Sequence, residues 1–345
     1  MKIVVLHRPG NAADYHRITL PFRYLDLLNK ERIHYIEENT QVRASEFKHA
    51  DLVIFNRHPH LELDHLLVLK DKYKFKIWVD IDDYWELYKE HYLYNDWTKK
   101  KVKEKIIKAL ANADIVTVTN GRLLRAVRPI NEKVIIIPNA VPVGYGQFMP
   151  KRVESTRTRF IYAGGPSHLN DLRTVESYFI RLINDRHFAK YGEWVHAGYN
   201  DKLREQSLHE MNKIIGLAPV SSSLNPLPIE TYMGHYNHGD VSFAPLVKNE
   251  FNEMKSNLKI IEAGCMRMPI ICSNMYPFLE DKEMNGMGVY YFDTPEQLYI
   301  ICRNLIDKKS DYLERMGSNL YEYVYQKYNL LKVNKIRREI INSFK

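Results

Sequence analysis

The sequence predicts an α/β protein made of two doubly wound parallel-sheet domains facing each other across a cleft. Short β-branched runs alternate with longer amphipathic segments along nearly the whole chain. The alternation breaks once, at 140–158, where prolines, glycines and a polar, basic tail (AVPVGYGQFMPKRVESTRT) read as a linker. It then restarts, so the second half repeats the architecture of the first. Strands that alternate with helices imply parallel pairing and right-handed crossovers.

In the first half the predicted strands are 2–6, 51–56, 76–82, 114–119 and 134–138, and helices are expected over 19–29, 61–74 and 98–112. In the last of these Val102, Ile106, Ile107 and Leu110 recur at helical spacing. The second half predicts strands at 159–163, 194–197, 241–245, 269–273 and 289–292, with helices over 171–184, 255–266 and 294–308. From 311 to 345 the chain reads as helical throughout and ends in a basic amphipathic segment around Arg337 and Arg338. The expected domains are 1–145 and 158–328, both Rossmann-like, with 329–345 as a C-terminal helix packing back on the first.

The 345 residues are 45% hydrophobic and 27% charged, the balance of a soluble globular protein with two cores. Cys265, Cys272 and Cys302 stand in apolar surroundings without C-x-x-C spacing, which predicts buried reduced thiols and a cytoplasmic compartment. The apolar run after Met1-Lys2 is too short for a signal peptide, and no stretch approaches the roughly eighteen apolar residues of a membrane span. A net charge of +8 suggests an anionic partner, and a sugar nucleotide, an anionic membrane surface met peripherally or a nucleic acid would each qualify.

Ligands of open α/β sheets bind past the carboxyl ends of the strands. The residues there are chemically rich: His7 to Gly10, Arg57-His58 with His60 beyond, Asp80 to Asp83, Asn120-Gly121, Asn139, Gly164-Gly165 and Asn274. The segment 251–274 (FNEMKSNLKIIEAGCMRMPIICSN) is the most informative. A helix opening near Ser256 would offer free backbone N–H groups to a diphosphate, with Lys255 and Lys259 beside it and Glu262 about two turns on, placed to meet a ribose. An ordinary surface helix with solvated side chains is the plain alternative. Gly164-Gly165-Pro166-Ser167-His168, followed by Asp171, would let backbone approach phosphates, although a turn capped by Ser167 and Asp171 explains part of it. The triplet Asp80-Ile81-Asp82, with Asp83 next, invites a metal reading. Carboxylates so close should raise one another's pKa, and Asp82 or Asp83 could orient an acceptor hydroxyl or cap the next helix. The run Lys99-Lys100-Lys101-Val102-Lys103 reads as a solvated helix face.

These stretches resemble the retaining glycosyltransferases of the two-Rossmann-domain (GT-B) type called family four, or glycosyltransferase group 1, in bacterial and phage-encoded forms. The resemblance implies a donor site of Gly164, Gly165, Lys255, Ser256, Asn257, Lys259 and Glu262, with Glu262 as ribose ligand. It matches His168 and Asp171 to a histidine and aspartate of some members, so His168 joins Asp82 and Asp83 as a catalytic candidate. Members with two glutamates eight apart place the first where this chain has Met254, beside Glu253, which leaves retention or inversion open. Tyr15-His16-Arg17 resembles the acceptor-side segment, so His16 and Arg17, with Arg57 and His58, are acceptor-side candidates. The run 135–140 resembles the strand, proline and asparagine that end the first domain. The implied reaction moves a sugar from a nucleotide-diphosphate donor to a hydroxyl, with no metal and no cofactor beyond that co-substrate. The expected acceptor is a glycan or surface polysaccharide precursor. DNA carrying a hydroxymethylated base, an epimerase and a sugar-nucleotide-binding protein remain the alternatives.

Overall fold

Two six-stranded sheets form, one in each half of the sequence, and every strand pairing within them is parallel. They belong to a computed structural model that describes residues 1–29, 32–38, 42–59, 61–198, 205–308 and 310–345. His60 lies outside the described residues. The chain divides into two units, Met1–Ala140 with Glu253–Ser256 and Leu330–Lys345, and Val141–Asn252 with Asn257–Asn329.

The first unit orders its strands β2-β1-β3-β4-β5-β6. These are β1 (Lys2–His7), β2 (Arg32–Glu37), β3 (Leu52–Asn56), β4 (Lys76–Ile81), β5 (Ile115–Val118) and β6 (Val134–Ile136). The β-branched runs that announce β1, β3 and β4 are buried almost along their whole length, as helices on both faces of a parallel sheet require. β2 was not predicted: its sequence RIHYIE is charged, mostly half-exposed, and buries only Ile36. The predicted helix over 98–112 begins at Val102, because Lys101 stands in the left-handed region at φ 50° and separates it from a short helix, Tyr94–Lys99.

The second unit orders its strands β12-β11-β10-β7-β8-β9. These are β7 (Thr158–Ala163), β8 (Gly192–Ala197), β9 (Ser221–Leu224), β10 (Val241–Ala244), β11 (Ile270–Ser273) and β12 (Val289–Phe292). Trp194 sits at its core against Phe160, Phe179 and Phe243, with ring centroids 5.3, 4.9 and 5.1 Å away. β9 (SSSL) escaped prediction because an edge strand can be polar, its hydrogen bonds to β8 sufficing. Within the 140–158 stretch Val141, Val143 and Phe148 are buried and 151–156 are exposed, and the Val141 amide donates to the Tyr328 carbonyl at 3.2 Å, all within this unit. The expected continuous C-terminal helix is two, Ser310–Lys327 and Leu330–Asn342. The second of these groups with the first unit, where Asn334 Nδ2 donates to the Pro21 carbonyl at 3.0 Å.

Each sheet reverses its winding once, between β1 and β3 in the first unit and between β7 and β10 in the second. A crevice opens past the strands' carboxyl ends at such a switch point, so these two places are where ligands are expected. Among the described residues no helix is long and apolar enough to cross a membrane.

Candidate active site

In the second unit β7 runs into Gly164-Gly165, and β10 runs into Leu246-Val247. A Cβ at Gly164 would fall 2.8 Å from the Tyr162 hydroxyl, so a side chain there would force that ring to shift. The Gly165 carbonyl accepts from the His168 amide at 3.1 Å, turning the chain into the Leu169–Arg173 helix. Asp171, buried, ties the two sides of the switch point together. Its Oδ1 accepts from the Val247 amide at 2.8 Å and from Asn252 Nδ2 at 3.0 Å, while its Oδ2 takes His168 Nδ1 at 2.7 Å. A carboxylate only accepts, so His168 carries its proton on Nδ1 and its ring is held in one orientation.

Lys259 and Glu262 stand one turn apart on the Leu258–Cys265 helix. Glu262 is 2% exposed. Its Oε2 takes Lys259 Nζ at 2.7 Å and the Tyr236 hydroxyl at 2.7 Å, and Lys259 lies 3.2 Å from the Tyr232 hydroxyl. Burial alone would lower the Lys259 pKa, but the Glu262 carboxylate outweighs it and holds the ammonium above its ordinary value. Tyr232 and Tyr236 were missed by the sequence reading. They are four apart in Tyr232–His238, a 3₁₀ segment with no period to announce it.

The helix expected to open near Ser256 begins instead at Leu258, with Asn257 as its N-cap. The Asn257 side chain makes no capping bond. Its Nδ2 donates to Asp281 at 2.5 Å and to the Tyr328 hydroxyl at 2.7 Å. Lys255 and Ser256 group with the first unit. There Asn120 Nδ2 donates to the Lys255 carbonyl at 3.0 Å, and Asn139 Nδ2 to Ser256 Oγ at 2.6 Å. Glu253 pairs with Arg122 at 3.1 Å, and Met254 packs on the apolar core of that unit.

In the first unit a chain of arginine–aspartate pairs lines the carboxyl ends of β1, β3 and β4. Arg8 grips Asp14, with Nε to Oδ2 at 2.9 Å. Arg17 is 0% exposed and bidentate on Asp80, with Nε–Oδ1 and Nη2–Oδ2 both 2.8 Å, and Nη1 donates to Asn139 at 3.0 Å. With no exposed surface, Arg17 anchors this unit's core polar network, which Thr117 and Asn56 complete on Asp80 at 2.6 and 3.3 Å. His16 beside it is also buried, edge-on to Tyr15 in the π-helical turn Tyr15–Thr19.

Arg57, like Arg8, is partly exposed. It adopts φ +62°, a conformation few side chains tolerate, and its Nη2 reaches Asp83 at 2.6 Å and Asp82 at 3.2 Å. His58 is half-buried, its Nδ1 3.1 Å from the Pro59 carbonyl. The expected mutual raising of the carboxylate pKa values does not occur at Asp82. Burial would raise it, but Arg57 and then Arg17 overcome that and hold it below the usual carboxylate range. Asp82 is thus a permanent anion at neutral pH and a weak base. A depressed carboxylate stabilises the fold above its unfolded pKa of about 3.9 and loses that contribution as pH falls through its lower folded value. The stability difference between wild type and Asp82→Asn in urea unfolding should accordingly be constant from pH 7 to 5 and shrink below about pH 4. A difference that grows on acidification would contradict the Arg57 pairing.

No protein-family model matches this chain, and no curated protein matches it in sequence. Solved structures do match in shape. Sucrose-phosphate synthase of Thermosynechococcus elongatus superposes with a TM-score of 0.73 at 13% identity, covering 99% of this chain and 98% of that one. HepE of Anabaena, solved in complex with UDP-glucose, gives 0.68 at 11% identity over 99% and 100%. A UDP-forming trehalose-phosphate synthase of Burkholderia xenovorans gives 0.67 at 12% identity over 98% of each chain. At such identities the likeness speaks for the fold: the chain has the two-Rossmann-domain GT-B fold over essentially its full length.

Proposed function

We propose that this protein is a glycosyltransferase that transfers a sugar from a UDP-sugar to a hydroxyl acceptor. The observation that carries the reading is the ion pair of half-buried Lys259 with buried Glu262 beside the β7–β10 switch point, in a fold whose solved neighbours include HepE with UDP-glucose. Lys259 and Tyr236 occupy the Glu262 carboxylate. A ribose offers two hydroxyls to that carboxylate, and a diphosphate offers the Lys259 ammonium a stronger anionic partner, so the pair is set to open onto a nucleotide. The N-terminal end of the Leu258–Cys265 helix adds the positive end of its dipole for the diphosphate. His168, its ring fixed by Asp171, is proposed to hydrogen-bond the reacting donor. Asp82 and Asp83 with Arg57, and His58 beside them, are proposed to position the acceptor.

Catalysis on this reading is positioning and stabilisation of the departing diphosphate. We propose retention without a covalent glycosyl-enzyme step, since Glu253, the carboxylate next to the Met254 position, is ion-paired with Arg122. The proposed acceptor is a neutral glycan or polysaccharide precursor, and the proposed compartment is the cytoplasm.

The test is UDP release from a panel of UDP-sugars, with and without glycan acceptors, in the presence of EDTA. Acceptor-stimulated UDP release that survives the chelator is expected, because lysine and helix amides serve the diphosphate in place of a cation. Loss of activity restored only by manganese or magnesium would contradict the metal-free mechanism. Release stimulated by hydroxymethylated DNA and not by glycans would replace the acceptor.

A further inference from the structure

We propose that Asp281 is a positioning residue for the donor site, holding the first turn of the Leu258–Cys265 helix in the register a nucleoside diphosphate needs. The proposal rests on the donor reading above and extends it to residues that touch no substrate. Asp281 is fully buried in the segment that follows β11. Four donors converge on it: Asn257 Nδ2 at 2.5 Å, the Tyr328 hydroxyl at 2.6 Å, the Tyr323 hydroxyl at 2.8 Å and Lys327 Nζ at 3.1 Å. Asn257 also donates to the Tyr328 hydroxyl at 2.7 Å, closing a triangle among the three side chains. The two carboxylate oxygens share these four donors, with Lys327 as the cation among them.

The direction of these bonds is informative. Asparagine at an N-cap ordinarily turns its oxygen onto the amides of the first turn. Here Asn257 makes no such bond, and its amide group is turned to Asp281 and Tyr328. The arrangement therefore fixes where the helix starts without a side-chain cap from Asn257 on its N–H groups. The opposite end is fixed by close approach. A Cβ at Gly264 would lie 2.5 Å from Val324 Cγ2, so the helix seats directly on Ser310–Lys327. Held at both ends, the helix presents Lys259 and Glu262 at a set depth.

Asn257→Ala and Tyr328→Phe each remove one corner of the triangle, and with it two of its three bonds, and leave Asp281, Lys259 and Glu262 in place. Leu298→Ala, a cavity in the core of the same unit, serves as the control that lowers stability without touching the triangle. UDP is the probe, and its affinity is read by calorimetry well below each melting temperature. Both triangle variants should bind UDP on the order of tenfold more weakly, the equivalent of one lost hydrogen bond to a charged group. Leu298→Ala should stay within about twofold of wild type. Wild-type UDP affinity in both triangle variants, with only the melting temperature lowered, would overturn the positioning role. If Glu262→Ala loses UDP while the triangle variants keep it, this proposal fails alone. If the wild type binds no UDP, the donor reading fails and this one with it.

Discussion

Arg17→Ala is expected to destabilise the first unit by about 3–5 kcal/mol, the cost of leaving one member of a buried ion pair uncompensated. Asp80 would keep its burial and its bonds from Thr117 and Asn56, but lose both guanidinium contacts. Asn139, which accepts from Arg17 and donates to Ser256, would lose one partner as well. Substitution of the exposed Lys99 should change stability by less than about 0.5 kcal/mol. Urea unfolding followed by fluorescence checks both. A loss below about 1 kcal/mol for Arg17→Ala would mean that water or Arg337 replaces the lost charge, and that the network is not the anchor described here.

Glu262→Ala is expected to weaken UDP binding by about 1.5–3 kcal/mol, roughly ten- to hundredfold, while the fold persists. A buried carboxylate that bonds ribose hydroxyls contributes that much because its replacement leaves the ligand's groups unpaired in a site with little water. Lys259 keeps 27% of its side chain exposed, so it can solvate itself when Glu262 is gone. Glu262→Gln keeps one acceptor and should fall between the two. Equal affinity in all three proteins would remove Glu262 from the nucleotide site.

Much of the architecture was legible in the sequence because buried parallel strands are written as continuous apolar runs. β1, β3, β4, β7, β10 and β11 announce themselves in that way, and the loops after them followed from the alternation. β2 and β9 did not, since half-exposed and edge strands carry polar residues that no core demands. In the site, glycines at a strand end and a lysine and glutamate three apart on a helix are local signals. Which carboxylate meets which donor is not local: Arg17 finds Asp80 across 63 positions, and Asn257 finds Asp281 across 24. The D-x-D triplet looked like one unit in sequence. The fold separates it, giving Asp80 to Arg17 in the core and Asp82 to Arg57 at its edge.

Titration of the wild-type protein with UDP in EDTA is the direct test of the proposed UDP-sugar site on the second unit. Saturable one-to-one binding is predicted, with UDP-sugars competing. At a ligand concentration of about 100 times Kd the melting temperature should rise by the equivalent of about 2.7 kcal/mol. Neither heat nor thermal shift with UDP, or with any other nucleoside diphosphate, would contradict it.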